Sequence, residues 1–435
     1  MGRSARSFTL GVGLLVAVMM QTAAAQDWPQ WRGPNRDAKQ ASFTAPASWP
    51  AALTQKWKVA VGEGVATPCL VGDKLYVFAR EGGDEVVRCL EAATGKEVWQ
   101  QKYAAEPVGG PARSFSGPRS SPAVADGKVV TLGVEGVLSC YDTAGKLLWR
   151  HDELKGKVPR FSTSSSPIVV GGLCIAQLGA PDAGGIVAYD LAAGKEAWKW
   201  MGSGPAYGSP VAATVGGAKA IVTPTNDSLV ALDPAKGSLL WQIPYTQGRY
   251  NAATPILDGE QLIFAGPERG FTAAKLAVQD GKISMQELWK NADNSVQFNT
   301  PVLKDGLLYG LSTTNSVFCV DAKSGATAWS SPLAPSAGGA AAGAPQGGGK
   351  ERGGRGGRGG GGGGGAGFGS VVDAGSVLFA LTPAGQLVVF APGKEKFDQR
   401  ASYKVAEGGT HAYPVISGSR IFIKDGDSVA LWTVE

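Results

Sequence analysis

The stretch that decides the fold runs from Arg119 to Arg150 and reads RSSPAVADGKVVTLGVEGVLSCYDTAGKLLWR. It opens on Ser-Pro, continues through β-rich segments separated by glycine turns, and closes on Asp-x-x-x-Gly-Lys followed by a Trp. Imperfect copies recur about every 40–50 residues, a period typical of propellers, solenoids and arrays. The repeat therefore predicts the architecture, whereas function has to be sought where the copies differ.

Each copy reads as four strands. Pro is tolerated at the start of the first strand, and the Asp and Gly of the last turn suit hydrogen bonding and positive φ. Six copies run from Ser/Thr-Pro to Trp: Thr67 to Trp99, Ser121 to Trp149, Ser166 to Trp198, Ser209 to Trp241, Thr254 to Trp289 and Thr300 to Trp329. In a weaker seventh copy, Ser370-Val371 replaces Ser-Pro, and we expect Tyr403 near the Trp position.

The last copy begins at Tyr413-Pro414 and has only three strands. A strand-like segment at the other end of the repeats, Leu53 to Val61, carries Trp57 and has no partner strands beside it. Together they would complete an eighth sheet and remove the open edges that promote aggregation. We therefore predict an all-β fold, an eight-bladed β-propeller of four-stranded antiparallel blades, closed by an N-terminal strand that completes the C-terminal blade.

The chain has 435 residues, a formal net charge of +5 and 64 glycines. The glycines fit many tight turns, and the charge is too small to indicate a nucleic-acid partner. Five cysteines, an odd number, occur without a C-x-x-C motif; three of them precede Glu91, Asp142 and Asp321 by two residues in the repeats. We expect buried thiols that act as small hydrophobic side chains, not disulfides or metal ligands.

Residues 1–25 resemble a secretory signal peptide. Arg3 and Arg6 form a positive start, an apolar run follows from Phe8 to Met20, and Ala23-Ala24-Ala25 supplies a cleavage site. The apolar run is shorter than the ~18–20 residues of a membrane-spanning helix. We expect bacterial export to the periplasm or the medium, with no transmembrane segment after cleavage.

Two further segments lie outside the repeats. Residues 26–52 form an arm rich in Trp and Pro, which we expect to lie across the surface of the propeller (residues 53–435) with its rings packed. Residues 338–369 are mostly Gly and Ala with ERGGRGGR at Glu351 to Arg358, a composition that predicts a disordered insertion. Its Arg-Gly-Gly tract allows a second interpretation, in which the insertion binds a polyanion, either a cell-surface polysaccharide or extracellular nucleic acid.

The Gly-Lys-x-x-Trp endings at Gly95, Gly145 and Gly194, each preceded by an acidic residue, resemble the PQQ-like (pyrroloquinoline quinone) propeller repeat. The arm segment Trp28 to Arg36, WPQWRGPNR, is similar to the leader of exported PQQ-like proteins from environmental bacteria. The resemblance implies eight blades docked by tryptophans. It also implies one of two functions: quinoprotein dehydrogenases hold PQQ and Ca²⁺ in the axial funnel, and BamB-type outer-membrane assembly lipoproteins bind partners without a cofactor.

The chain departs from both branches. It has no adjacent Cys-Cys pair, which the larger dehydrogenases hold against the quinone, and residue 26 is Gln where the BamB branch has a lipid-anchored Cys. No Ca²⁺-binding set of six or more oxygens can be placed.

In such a blade, the loops that join blades and the loops between strands 2 and 3 share one face. Arginines, aromatics and amides there would suit an anionic or sugar-like ligand, or would satisfy the loop backbone and one another. The candidate ligand-binding residues are Arg113, Arg119, Arg160, Tyr207, Arg249, Asn251, Gln297, Asn299 and His411, with Glu63, Tyr250 and Tyr413 beside them. Of the two histidines, His411 is the better candidate for acid/base work.

Two hypotheses follow from these observations. The first is an exported, non-catalytic, monomeric propeller that binds a protein or glycan through its loop-rich face, with no cofactor, metal or catalytic residue. The alternative is a PQQ-dependent dehydrogenase, with Ca²⁺, acting on alcohols or sugars.

Overall fold

A computed structural model describes residues 27–40, 42–215, 217–247, 250–266, 269–279, 282–333 and 369–434. The predicted signal peptide, nearly all of the predicted insertion and Arg249 lie outside these residues. Apart from one short 3-10 helix, Gly110–Ala112, every regular element in the described ranges is a β-strand. The described residues contain no helix with the length and hydropathy needed to cross a membrane.

Thirty-two strands form eight antiparallel sheets of four strands each, which confirms the predicted eight-bladed propeller. The outermost strand of blade 8 comes first in the chain, and blades 1 to 4 follow it. Their strands are β1 Thr54–Ala60, then β2 Cys69–Val71, β3 Lys74–Glu81, β4 Asp84–Glu91, β5 Glu97–Ala104, β6 Ala123–Ala125, β7 Lys128–Leu132, β8 Leu138–Asp142, β9 Leu147–His151, β10 Ile168–Val170, β11 Leu173–Leu178, β12 Gly185–Asp190, β13 Glu196–Trp200, β14 Val211–Val215, β15 Ala218–Pro224, β16 Ser228–Leu232 and β17 Leu239–Pro244.

Blades 5 to 8 repeat the same order, from a short inner strand to an outer strand. Their strands are β18 Ile256–Asp258, β19 Gln261–Gly266, β20 Gly270–Gln279, β21 Lys282–Asn291, β22 Val302–Lys304, β23 Leu307–Leu311, β24 Ser316–Asp321, β25 Thr327–Pro332, β26 Ser370–Asp373, β27 Leu378–Leu381, β28 Gln386–Ala391, β29 Asp398–Lys404, β30 Val415–Ser417, β31 Arg420–Lys424 and β32 Ser428–Thr433.

The ring closes as predicted. β1 pairs antiparallel with β32, from Thr54 opposite Thr433 to Ala60 opposite Ser428. Blade 8 therefore combines the two ends of the repeat region, and its outer strand is covalently continuous with blade 1.

Tryptophans of the outer strands join six of the eight blades to the next by the same hydrogen bond. The Trp99 ring packs on Gly145, and its Nε1 donates to the Thr143 carbonyl in the turn between strands 3 and 4 of blade 2. The same bond recurs at 2.9–3.1 Å for the donors Trp57, Trp99, Trp149, Trp198, Trp289 and Trp329. The repeated Gly and Trp therefore form contacts between blades.

Blade 7 differs from the expectation for Tyr403. By strand pairing Ala401, opposite Val389, occupies its Trp position. Tyr403 lies two residues farther along β29, beside Trp49 of the arm, and its hydroxyl donates to the Pro50 carbonyl at 3.0 Å. Arm aromatics thus pack on the blade that has no tryptophan of its own.

The residue before the Pro that opens a blade's first strand belongs to a closed ring of hydrogen bonds around the axis, which we call the axial ring. In each bond a backbone amide of one blade donates to the hydroxyl of the next member. The members are Thr67, Ser121, Ser166, Ser209, Thr254, Thr300 and Tyr413, with N···O distances of 2.9–3.3 Å. Blade 7 contributes no member, and the long phenol of Tyr413 reaches past it from blade 8 to Thr300.

The arm, residues 27–52, does not lie across the surface as expected. It enters the central channel, because residues 28–40 bond to the innermost strands of blades 1, 2, 7 and 8. Trp28 exchanges two backbone bonds with Leu70 of blade 1, and Asp373 of blade 7 does the same with Ala38 and Gln40. Unpaired backbone groups on the inner strand edges attract this segment, since buried amides need partners.

Two buried arginines anchor the arm near the axial ring. Arg32 donates to the Pro301 carbonyl at 2.7 Å, and Arg36 donates to those of Ser166 and Pro167 at 3.0 and 2.9 Å. Both guanidinium groups also lie within 5.5 Å of the Trp31 ring centroid. The arm therefore fills the channel up to the axial ring.

All five cysteines are buried free thiols, as the sequence predicts.

Candidate functional site

The loops that join the blades and those between strands 2 and 3 share one face, here named the loop face. Six of the joining loops each place one aromatic ring around the axis on this face. This aromatic crown consists of Phe115, Phe161, Tyr207, Tyr250, Phe298 and His411. Each member precedes an axial-ring residue by two to six positions, so the crown lies on the opposite side of the ring from the arm.

Ring contacts link the crown. The centroids of Phe161, Tyr207 and Tyr250 are 5.5–5.9 Å apart, and Tyr250 stacks on Phe298 at 6.0 Å. On the other side, Phe115 meets His411 edge to face at 5.1 Å. Aromatic pairs in these arrangements stabilise one another and hold their rings in fixed positions.

A cleft of about 610 Å³ opens beside the crown, above blades 3 and 4. Its walls are mostly proline and aromatic, and its polar side chains are few. The lining residues are Pro159, Arg160, Phe161, Pro181, Pro205, Ala206, Tyr207, Asn226, Tyr250 and Asn251. A mostly apolar concave surface with a few polar groups is the usual form of a ligand site.

Arg119, a predicted ligand residue, is bonded to the protein's own loops. Its guanidinium donates to the carbonyls of Phe161, Phe115 and Ala112. Burial lowers its pKa to about 10. Arg119 therefore joins two crown loops, and its donors face backbone oxygens.

Asn251 is also engaged. Its side-chain amide donates to the Thr225 and Tyr245 carbonyls at 2.8 and 2.9 Å, and its Oδ1 accepts from the Gln247 amide. Its backbone carbonyl accepts from the amides of Tyr207 and Gly208. Asn251 thus shapes the cleft floor, because its bonds hold three loops together.

Two other predicted amides occupy the same part of the loop face. Gln297 donates to the Tyr250 hydroxyl at 2.8 Å and so orients a crown ring. Asn299 is buried and donates to the Leu311 carbonyl at 3.1 Å. Tyr207 has a similar role, since its hydroxyl accepts from the Phe161 amide at 3.2 Å.

Arg113 and Arg160 are exposed on the loop face. The guanidinium of Arg160 lies 5.5 Å from the Phe161 ring centroid, at the cleft wall, and makes no hydrogen bond or ion pair with a described residue. It is the cation best placed to meet a ligand in the cleft. Nearby, Glu63 accepts a hydrogen bond from the Ser116 hydroxyl.

Burial lowers the pKa of His411 to about 4, well below the usual value for histidine. The imidazole is therefore neutral at pH 7, where it lacks the proton that a general acid would donate. Its contact with Phe115 makes it a member of the crown.

Sequence reasoning missed three crown residues, Phe115, Phe161 and Phe298. A signal for them was present, because an aromatic residue precedes the axial-ring residue in loop after loop. It also missed Lys424, whose buried ammonium donates to the carbonyls of Gly62, Gly64, Asp425 and Gly426 at 2.7–3.3 Å. Burial lowers the Lys424 pKa to about 8.

The described side chains do not fit PQQ with Ca²⁺, which the resemblance implies for one branch. Calcium needs six to eight oxygens, and the carboxylates of the quinone need cations. No three His, Cys, Asp or Glu residues in the described ranges are grouped so that they could hold a metal ion. Arg119 and Asn251, the best-placed polar groups, bond to backbone.

A family model described as outer membrane protein assembly factor BamB matches residues 48–205 and 182–331, more than half of the chain. The chain belongs to this BamB family. BamB of Yersinia pestis is 26% identical over 301 residues, 63% of this chain and 60% of that protein. The solved BamB of Moraxella catarrhalis aligns with a TM-score of 0.57 at 15% identity, over 88% of this chain and 98% of that one.

Similarity also extends to the quinoprotein side. The quinohemoprotein alcohol dehydrogenase ADH IIB of Pseudomonas putida is 38% identical over 104 residues, 22% of this chain and 13% of that enzyme. The chain spans about half the length of the curated BamB relatives it matches, 46% in one case and 60% in the other. The likeness to solved structures shows the fold, so a function has to rest on the residues of the loop face.

Proposed function

We propose that the protein is an exported, non-catalytic propeller that binds a protein or glycan partner through its loop face. The observation that carries this proposal is the aromatic crown with its adjoining cleft. Partly exposed rings held by one another and by loop hydrogen bonds are the kind of anchor that interfaces use. Membership of the BamB family supports a binding role, because its named members are assembly factors.

The proposal includes a cellular location and an oligomeric state. Residues 1–25 direct export to the periplasm or the medium, and the mature protein acts there as a monomer. Nucleic acid is not its partner.

A capture experiment tests the loop face. The mature protein is immobilised, and partners are captured from an envelope extract of the source cells with wild type and with a crown variant, Tyr250→Ala/Phe298→Ala. The matched control, Leu147→Ala/Met285→Ala, removes two comparably exposed apolar side chains from outer strands. We expect the crown variant to lose the captured partner and the control to keep it.

Circular dichroism and thermal melting establish that both variants are folded. If the crown variant and the control capture the same proteins or glycans as wild type, the loop face is not the binding surface.

The second candidate is a PQQ-dependent dehydrogenase with Ca²⁺, acting on alcohols or sugars. The local similarity to a quinohemoprotein alcohol dehydrogenase favours it, whereas the engaged side chains of the loop face oppose it. Titration of the purified protein with PQQ and Ca²⁺ decides between the two. Saturable binding of PQQ together with alcohol- or sugar-dependent dye reduction would refute the scaffold proposal. Absence of PQQ binding at tens of micromolar would refute the dehydrogenase candidate.

A further inference from the structure

We propose that the cleft beside the aromatic crown binds an extended, proline-rich peptide segment that places an acidic side chain against Arg160. This inference rests on the proposed function and narrows its partner from a protein or glycan to a peptide. It is argued from the walls of the cleft, from the hydrogen bonds that its polar groups already make, and from Arg160, the one cation among the described lining residues.

The cleft walls favour pyrrolidine rings. Three prolines, Pro159, Pro181 and Pro205, face the same space as the aromatic rings of Phe161 and Tyr250. An extended polyproline II segment has no internal hydrogen bonds and presents its rings as ridges, which pack in aromatic-lined grooves. The volume of about 610 Å³ is within the range of small-ligand pockets. A short peptide segment therefore fits.

The cleft is already ordered by its own bonds. Tyr207 is held through its hydroxyl by the Phe161 amide and through its amide by the Asn251 carbonyl. Tyr250 is held through its hydroxyl by Gln297. A polyproline II segment is likewise stiff before it binds. Association of two preformed surfaces loses less conformational entropy than association of flexible ones.

The polar groups of the cleft argue for a peptide over a sugar. Asn251 has both side-chain atoms bonded within the protein, and the Tyr207 hydroxyl accepts from a backbone amide. Arg160, the exposed Asn226 side chain and the O–H donors of Tyr207 and Tyr250 remain, since both phenols only accept in the bonds they make. A sugar ring carries several hydroxyls, and each one buried without a partner loses the hydrogen bonds that it made to water. Proline has no backbone N–H to satisfy, so it can fill the apolar part without that loss.

Charge selects an acidic residue in the segment. Arg160 is exposed at the cleft wall and is bonded to no described carboxylate. Asp227, next to the lining residue Asn226, accepts hydrogen bonds from Ser203 and Ser228. A ligand carboxylate can therefore pair with Arg160 through two N–H groups.

Fluorescence anisotropy tests this with a labelled 12-residue peptide of four Pro-Pro-Glu repeats. Two control peptides replace Glu by Lys, or both prolines by Gly. Wild-type protein should bind Pro-Pro-Glu at least tenfold more tightly than either control. Arg160→Glu should reverse the preference and bind Pro-Pro-Lys more tightly than Pro-Pro-Glu. Lys146→Glu, a charge reversal at an exposed cation in the turn between strands 3 and 4 of blade 2, away from the loop face, should change the affinity for Pro-Pro-Glu by less than twofold.

A second arm offers a hexamer of N-acetylglucosamine. If the sugar binds in a way that Tyr250→Ala abolishes and the peptide does not bind, the inference is wrong while the scaffold proposal stands. Equal binding of the three peptides, or equal effects of Arg160→Glu and Lys146→Glu, also overturns the inference. If neither probe binds and the crown variant captures the same partners as wild type, both proposals fail.

Discussion

In five blades the glycine of the turn between strands 3 and 4 is required because a tryptophan ring from the preceding blade lies against it. At Gly145, φ is +91° and a Cβ would lie 2.7 Å from Cδ2 of Trp99. Gly95, Gly194, Gly237 and Gly325 face the corresponding rings in the same way. The repeated Gly and Trp therefore form one contact, although they belong to different blades.

Gly145→Ala should destabilise the protein more than Gly127→Ala. Both glycines have positive φ, which costs an L-residue about 1–2 kcal/mol, but a Cβ at Gly127 meets nothing within 4 Å. The clash with Trp99 should add about 1–3 kcal/mol at Gly145. Urea unfolding of the two variants measures the difference. Equal free energies of unfolding would show that the indole contact does not require glycine.

His411 should make stability depend on pH. Its pKa is about 4 in the folded protein, below the unfolded value of 6.5, because burial disfavours the charged ring. The unfolded chain therefore binds the proton first as pH falls. The stabilisation is fully present above pH 6.5 and declines between pH 6.5 and 4, by about 3 kcal/mol in total.

Denaturant unfolding at several pH values, with His411→Gln, checks this. The variant should lose less stability than wild type between pH 6.5 and 4, since glutamine does not titrate. Parallel curves for wild type and His411→Gln would mean that His411 does not contribute.

At the scale of elements, the arm occupies the central channel of the propeller. Its residues 28–40 supply partners for inner-strand groups of several blades, including Leu70, Val124 and Asp373. Its later aromatics, Phe43 and Trp49, pack on Phe379 of blade 7. A segment without strand or helix pattern thereby becomes one of the most deeply buried parts of the molecule.

Deletion of residues 27–40 should lower the melting temperature, because the inner-strand groups lose their partners and the buried Trp28 contacts disappear. Differential scanning calorimetry measures the loss. A synthetic peptide of residues 27–40, added in trans, should restore part of it. The same peptide should leave the wild-type melting temperature unchanged, because the wild-type channel is filled. A deletion variant that melts like wild type would show that the arm does not stabilise the ring.

At the scale of the whole molecule, closure depends on β1. It supplies the outer strand of blade 8, and its Trp57 donates to the Ala92 carbonyl of blade 1 at 3.1 Å. The seam between the first and last blades therefore uses the same tryptophan contact as five of the other joints. Closure also pairs the edge of β32 that would otherwise be open to another molecule.

Removal of Leu53 to Val61 should open the ring at this seam. Blade 8 would keep three strands and expose a long edge at β32, so the variant should aggregate or unfold over a broadened transition. Calorimetry and light scattering measure both effects. A cooperative transition at the wild-type temperature would refute closure by β1.

Much of this architecture follows from the sequence. The spacing of the Ser/Thr-Pro and Gly-Lys-x-x-Trp motifs alone locates the blades. These motifs can be recognised because they depend on local turn chemistry and on the alternation of buried and exposed residues along a strand. The complementary ends, Leu53 to Val61 and the three strands from Tyr413, predict the closed ring. Tyr403 lies near the Trp position of blade 7, as predicted, but two residues beyond it, because strand pairing puts Ala401 at that position.

The sequence predicted which loops form the loop face, but it did not predict how their side chains are arranged there. The sequence contains Arg119, Arg160 and Asn251 as equivalent polar loop residues. In the structure Arg119 and Asn251 bond to backbone oxygens of other loops, and Arg160 alone of the three faces the cleft without such a bond. Those partners lie tens of residues away in the chain, so spacing cannot assign them.

By itself, the sequence determined the blade count, the strand order and the closing strand, because each depends on a local pattern repeated along the chain. Only the tertiary structure decided that the arm fills the channel, that seven hydroxyls form the axial ring, and that six aromatic residues form a crown. These features join residues of different blades around one axis. Their energies come from contacts between distant segments, which no local pattern records.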